Sequence, residues 1–225
     1  MRCVALILGL LLTVPALADT QPAPTPQRIK GTIEAYDPVA RTLSVTSGKK
    51  AWSVTLQANV RVITNQRRKL ADIKPGDFVG AAALKGADGK LRAQRVDVFP
   101  EAFKGLGEGQ YPMGEAANRI MTNATVAEVT SVAANSGTLK VSYRGSTAGA
   151  DGTCSGHAAA EDNAGCNGSA DIVVAPGIPV IALMLGDESL LVPGAAVSLV
   201  ASTGSDGALV ATRLTVEKDG VKPIL

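Results

Sequence analysis

The residues best suited to chemistry lie together in one segment rich in glycine and alanine. It contains Cys154, His157 and Cys166, the only histidine and two of the three cysteines in the 225-residue chain. Two cysteines twelve positions apart predict a disulfide in an oxidising compartment. Closing a loop of this size removes about 3 kcal/mol of unfolded-state entropy on the chain-entropy model. We therefore expect a Cys154–Cys166 disulfide that staples an otherwise weakly apolar loop.

A metal site is the alternative for the same residues. Cys154 and His157 are spaced like two ligands, and Cys166 with Asp162 or Glu161 would complete a mixed sulfur, nitrogen and oxygen set. No second pair with ligand spacing accompanies them. Under this alternative the protein is a periplasmic accessory that binds a metal ion, whereas the disulfide interpretation implies no cofactor.

Basic side chains in the first half of the chain form a second candidate site. Between Arg28 and Lys104 there are 15 Lys and Arg against 7 Asp and Glu, and after Lys104 there are 6 against 12. Such asymmetry can steer an anionic ligand or leave a merely solvated surface. The candidate anion patch consists of Lys49, Lys50, Arg61, Arg67, Arg68 and Lys69.

The usual catalytic arrangements are not expected. A single histidine in a loop argues against Ser-His-Asp and Cys-His catalysis. No acidic pair stands in a recognisable glycosidase context, although a hydrolase that uses unrecognised carboxylates stays as an alternative. We predict a non-enzymatic binding, adaptor or envelope-structural protein.

The N-terminus predicts export. Arg2 precedes the apolar run Val4–Val14, and Ala16-Leu17-Ala18 is a typical cleavage site, so residues 1–18 are predicted to be a signal peptide. We expect cleavage after Ala18, loss of Cys3, and a soluble periplasmic or secreted protein with no membrane span. A flexible proline-rich leader follows at 19–27. The expected partner is an unknown protein or a polyanionic envelope ligand, and nucleic acid is not expected.

The chain contains an internal repeat. Pro75-Gly76 recurs as Pro193-Gly194, and Asp88-Gly89 recurs as Asp206-Gly207, both at an offset of 118. Upstream, Thr42-Leu43-Ser44-Val45 matches Thr138-Leu139-Lys140-Val141 at 96, and Gly31-Thr32-Ile33 matches Ala124-Thr125-Val126 at 93. The change in offset places 22 extra residues in the second copy, between Tyr143 and Asp171. Duplicated modules of this kind are typical of repeated supersecondary units.

Each module is predicted to consist of short strands joined by tight turns. Alternation and β-branched residues predict strands at Ile29–Tyr36, Thr42–Thr46, Trp52–Leu56, Arg61–Ile63, Asp77–Leu84 and Leu91–Val98. Pro75-Gly76 and Asp88-Gly89 predict turns in which glycine adopts a positive φ.

We therefore predict an all-β protein of two tandem small OB-like β-barrels with an ordered connector. The expected boundaries are 28–99 for the first barrel, 100–120 for the connector, and 121–218 for the second barrel with an insertion at 145–170. A pair of flat sandwiches is the competing topology.

The module pattern resembles the bacterial secreted family called domain of unknown function 5666. The resemblance rests on Gly31, Pro75-Gly76-Asp77, Val79, Asp88-Gly89, Leu91 and Ala93 in the first module. The second module departs from the pattern, with Ala195 at the position of Asp77. The resemblance implies an OB-like fold and a cell-envelope location, and it brings no catalytic residues.

Overall fold

The structure is a computed structural model that describes residues 26–114, 116, 118–133, 135–158, 165–204 and 207–223. The predicted signal peptide and most of the leader therefore lie outside the described residues. The strands are β1 Gln27–Asp37, β2 Thr42–Ser47, β3 Lys50–Arg68, β4 Phe78–Lys85, β5 Leu91–Val98, β6 Gly109–Pro112, β7 Arg119–Ala133, β8 Ser136–Gly145, β9 Thr147–Ala148, β10 Cys154–His157, β11 Cys166–Val174, β12 Val180–Leu185, β13 Ala196–Thr203 and β14 Leu209–Val216. Short 3₁₀ turns span Leu70–Asp72, Glu101–Phe103 and Glu188–Leu190.

Turn chemistry explains where the strands end. Gly76 has φ +93° and Gly89 has φ +77°, values that residues with a Cβ rarely adopt. Asp37 caps the turn after β1, because its Oδ1 accepts hydrogen bonds from the backbone N–H groups of Val39 and Ala40 at 2.8 and 2.9 Å. These local signals act independently of which strands later pair.

Five strands close the first barrel, which we call the β1 barrel. β1 pairs with β2 and β13, β3 pairs with β2 and β14, and β13 pairs with β14. Its interior is aliphatic and includes Ile33, Leu43, Val54, Leu199 and Leu214, each at most 3% exposed. The first three strands come from the first repeat, and the last two come from the second.

The remaining repeat strands form a second closed circuit, the β7 barrel. β7 pairs with β8 and β4, β11 pairs with β8 and β5, and β4 pairs with β5. Its interior includes Val79, Val96, Val126, Leu139 and Ile172. Here β4 and β5 come from the first repeat, so the two repeats exchange their last two strands.

The strand registers follow the sequence repeat. Val54 pairs with Leu209, and the residues 118 positions away, Ile172 and Leu91, pair in the same way. β3 and β12 join the barrels through an antiparallel pairing that contains Asn65↔Leu183, and these two residues are themselves 118 apart. An approximate two-fold axis therefore passes near that pair.

The all-β prediction is confirmed, and closed five-stranded barrels are present. The arrangement differs from one barrel per repeat, because each barrel draws strands from both predicted segments, 28–99 and 121–218. The strands predicted at Trp52–Leu56 and Arg61–Ile63 are one strand, β3, with an irregularity between Leu56 and Arg61 in its pairing with β14. In the described part of the chain, no helix is long and apolar enough to span a membrane.

Candidate functional site

The predicted disulfide is confirmed. Cys154, on β10, and Cys166, at the start of β11, are bonded, with their Cα atoms 5.7 Å apart. Cys154 is buried, and its carbonyl oxygen accepts a hydrogen bond from the Tyr143 hydroxyl at 2.9 Å. This hydrogen bond thus ties the insertion to β8, on which Tyr143 lies.

The ligands of the metal alternative are not assembled among the described residues. Both sulfurs are occupied by the disulfide, and the exposed ring of His157 stacks against Tyr111 with a centroid separation of 3.9 Å. No group of three His, Cys, Asp or Glu in the described chain is arranged to hold a metal ion. The other two predicted ligands, Asp162 and Glu161, lie outside the described residues.

The six predicted anion-patch residues do not lie together. Lys49 lies in the turn that precedes β3, and Lys50 is the first residue of β3. The Nζ atom of Lys50 lies 3.5 Å from the centroid of the Trp52 ring. The run Arg67-Arg68-Lys69 lies at the opposite end of this 19-residue strand. Arg61 lies between the two groups, so the predicted patch is divided into three places.

Arg61 instead lies beside one arginine from a distant part of the chain, and a third arginine lies two strands further on. On the β14–β3 ladder it is directly paired with Arg213. Arg28 on β1 pairs with Val200 on β13. Val200 lies where the register of the pairing between β13 and β14 shifts. Arg28, Arg61 and Arg213 are all exposed; we call them the arginine row.

Arg61 and Arg213, the two directly paired members of the arginine row, repel one another in the free protein. Like charges directly opposite one another on neighbouring strands destabilise a sheet. None of the three guanidinium groups forms an ion pair within the described residues. A bound anion would relieve this repulsion.

A cavity of about 840 Å³ opens beside the row. Its lining includes Arg61 and Arg213 together with the polar residues Gln57, Asn59 and Thr212. Gln57 and Asn59 belong to the stretch of β3 that leaves the ladder with β14, between Leu56 and Arg61. The irregularity of β3 therefore creates the open, polar surface next to the arginines.

A second cavity, which we call the central cavity, lies where the two barrels meet. Its volume is about 460 Å³, and Arg28 and Arg213 line it together with Asn65, Asp97 and Asn123. Its apolar wall consists of Ile63, Phe99, Leu106, Met113, Met121 and Leu183, with Tyr111 alongside. Arg213 lines both cavities, so the central cavity continues into the arginine row.

Asp97 is the buried charged group of the central cavity. It is 8% exposed, and its Oδ2 accepts a hydrogen bond from Nε of Arg95 at 2.9 Å and a second one from the Arg95 Nη2 atom. Its Oδ1 is buried and accepts no hydrogen bond from the described residues. Burial raises the pKa of Asp97, and the neighbouring Arg95 opposes that shift.

The cavity offers acceptors for hydrogen bonds. The Nδ2 group of Asn123 donates to the carbonyl oxygen of Gly107 at 2.9 Å and to the Tyr111 hydroxyl at 3.1 Å. The Nδ2 group of Asn65 makes a long contact of 3.4 Å to the Lys222 carbonyl oxygen. Within the described residues no donor reaches the side-chain oxygen of either asparagine.

Sequence reasoning identified Arg61 and missed Arg28, Arg213 and Asp97. The internal repeat aligns Arg213 with Arg95, and this alignment was the one sequence feature that pointed to Arg213. The alternative of a hydrolase with two carboxylates needs a pair of acidic residues. Among the described residues that line the central cavity, Asp97 is the only acidic one.

Comparison with known proteins finds no matching family model, no similar curated protein and no similar solved structure. The resemblance to domain of unknown function 5666 therefore stays a prediction.

Proposed function

We propose that this chain is an exported, non-enzymatic binding protein whose polyanionic ligand lies along the arginine row. The observation that supports this most is the direct pairing of Arg61 with Arg213. Like charges directly opposite each other repel, and an anionic group held by both guanidinium groups would form charge-assisted hydrogen bonds in place of that repulsion. Arg28 extends the positive charge across two further strands.

The disulfide is compatible with the export part of the proposal. A bond between Cys154 and Cys166 persists in an oxidising compartment such as the periplasm or the extracellular space. N-terminal sequencing of the protein recovered from its native host tests cleavage after Ala18. A mature N-terminus at Met1 would contradict export through this signal.

Arginine variants test the binding site. Hydrogen bonds to charged groups contribute about 1.5–3 kcal/mol, so Arg61→Gln with Arg213→Gln should weaken binding of inorganic polyphosphate by about tenfold or more. Binding is measured by titration calorimetry on the chain from Asp19 at low and at high salt. Because the row is solvent-exposed, affinity should fall steeply with salt.

Lys49→Gln is the matched control, since Lys49 is an exposed cation at the turn before β3. It should bind polyphosphate as the unmodified protein does. Removing the Arg61–Arg213 repulsion should leave the melting temperature unchanged or raise it. The single variant Arg61→Gln removes the same charge as Lys49→Gln, so equal losses from these two single variants would show unspecific attraction to net charge and would contradict the proposal.

A further inference from the structure

The central cavity has the size and composition of a site for one ring of a larger ligand. Its volume of about 460 Å³ lies within the roughly 300–1,000 Å³ typical of small-molecule sites. Phe99 and Tyr111 supply aromatic surface to the cavity, and Asn65, Asp97 and Asn123 form its polar wall. Such a combination suits a ligand with an apolar face and a polar rim.

On the polar wall of the central cavity, the groups that lack a hydrogen-bond partner are mainly acceptors. Oδ1 of Asp97 is buried and meets no donor in the described part of the chain, a state that costs free energy unless a partner arrives. The Arg95 guanidinium holds Oδ2 with two hydrogen bonds, so Oδ1 is the oxygen of this carboxylate that is left for a donor from a ligand. The side-chain oxygens of Asn65 and Asn123 have no donor in the described chain either.

A ligand that satisfies this wall must therefore bring hydrogen-bond donors. Phosphate and sulfate groups that are fully ionised bring only acceptors, whereas sugar hydroxyls bring donors. Arg28 and Arg213 stand at the same cavity and require a negative group close to those hydroxyls. An acidic sugar carries both on a single ring, and its apolar face can pack on the apolar wall of the cavity.

We infer that the polyanion is an acidic polysaccharide, and that one of its sugar rings enters the central cavity while the chain continues along the arginine row. This rests on the proposed function, since the arginine row supplies the charge-dependent part of the binding. The hydroxyl groups of the inserted ring donate to Asn65, Asp97 and Asn123. The cavity thereby selects among polyanions that the arginine row alone would bind alike.

Two polymers separate these contributions. Oligogalacturonate has a carboxylate and hydroxyl groups on every ring, and inorganic polyphosphate has negative charge without hydroxyl donors along its chain. At equal charge and equal salt, oligogalacturonate should bind about tenfold or more tightly. Titration calorimetry on the disulfide-intact chain from Asp19 gives both affinities.

Asn65→Leu is the sharpest variant, because the two-fold equivalent of Asn65 is already a leucine, Leu183, on the paired strand. We expect it to weaken oligogalacturonate binding about fivefold to tenfold and to leave polyphosphate binding unchanged. Asp97→Asn is the second variant, since it keeps the shape and replaces the carboxylate. It should weaken oligogalacturonate and leave polyphosphate unchanged or tighter, because one negative charge is removed.

Melting temperature and far-UV circular dichroism verify that each variant folds. If polyphosphate binds with a steep salt dependence while oligogalacturonate binds no more tightly and Asn65→Leu changes neither, the polysaccharide inference is overturned and the proposed function stands. If neither polymer binds the unmodified protein, both are overturned. Equal weakening of both polymers by Asn65→Leu also counts against a hydroxyl-selective cavity.

Discussion

At the scale of single residues, a small, partly exposed polar cluster joins the two repeats at the surface of the β1 barrel. The Tyr36 hydroxyl donates to Oε2 of Glu188 at 2.5 Å, and Nη2 of Arg41 lies 2.8 Å from Oε1 of Glu188. Arg41 also donates to the carbonyl oxygens of Leu56 and Gln57. Tyr36 and Arg41 belong to the first repeat and Glu188 to the second, so the cluster secures the exchange of strands.

The pH dependence of stability reports on this cluster. The hydrogen bond from Arg41 lowers the pKa of Glu188, the Tyr36 hydrogen bond adds to the shift, and partial burial opposes it. A lowered carboxyl pKa stabilises the fold above the unfolded value of about 4.3, and this contribution is lost as the pH falls through the lower folded value. Glu188→Gln should therefore lower the melting temperature at neutral pH by about 2–4 °C.

Below the folded pKa of Glu188 the unmodified protein and Glu188→Gln should melt alike, because the glutamic acid is then also uncharged. Thermal melts followed by circular dichroism from pH 2 to pH 7, as approximate limits around that window, test this. A difference that persists unchanged in acid would show that the charge of Glu188 is not what stabilises the contact.

At the scale of elements, the insertion is an addition to the edge of the β7 barrel. β10 pairs with both β9 and β6, and β6 pairs with β7. Gly109 permits the close approach, because a Cβ at this position would lie 2.1 Å from the carbonyl oxygen of Gly156. β6 carries Tyr111, whose hydroxyl accepts a hydrogen bond from Asn123 in the central cavity.

The disulfide should stabilise this edge locally. Replacing both Cys154 and Cys166 by serine should cost up to about 3 kcal/mol on the chain-entropy model. Hydrogen exchange by mass spectrometry should show faster exchange in β10 and β6 and unchanged exchange in β1 and β2, which lie in the other barrel. Thiol reductant should have this effect on the unmodified protein and none on the double variant.

Faster exchange throughout both barrels would contradict a local role for the disulfide. So would a double variant whose β10 exchanges as slowly as in the unmodified protein.

At the scale of the whole molecule, the two repeats are interdependent. Each barrel needs three strands of one repeat and two strands of the other. Equivalent turns even bond across the exchange: the N–H of Gly76 donates to the carbonyl oxygen of Val126, and the N–H of Gly194 donates to that of Ile33, both at 2.8 Å. Neither repeat completes a barrel by itself.

Cutting the chain tests this interdependence. Gly105 is exposed and lies between β5 and β6, so fragments 26–104 and 105–223 keep every strand intact. We expect the mixed fragments to form a one-to-one complex with the circular dichroism spectrum of the intact chain. Each fragment alone should be unfolded or should form a homodimer that exchanges strands, because the repeats are equivalent.

Size-exclusion chromatography with light scattering distinguishes these states. A fragment that is folded and monomeric would mean that one repeat can close a barrel with its own strands. That result would contradict the exchange.

Local features were readable from the amino-acid order alone. β5 begins and ends at the predicted residues Leu91 and Val98, and the glycines of both predicted turns have positive φ. The Cys154–Cys166 bond followed from spacing and compartment. Side-chain alternation, turn conformation and short loop closure depend on neighbouring residues, which is why sequence determined them.

Only the tertiary structure decided which strands pair, and with that the candidate site. The repeats are equivalent, so the N–H of Gly76 has an equivalent acceptor in each repeat, Ile33 in the first and Val126 in the second. Local sequence does not distinguish these two acceptors. The exchange places Arg213 opposite Arg61, and the meeting of the barrels brings Asn65, Asp97 and Asn123 to one cavity. These contacts join residues far apart in the chain, because they depend on non-local strand pairing.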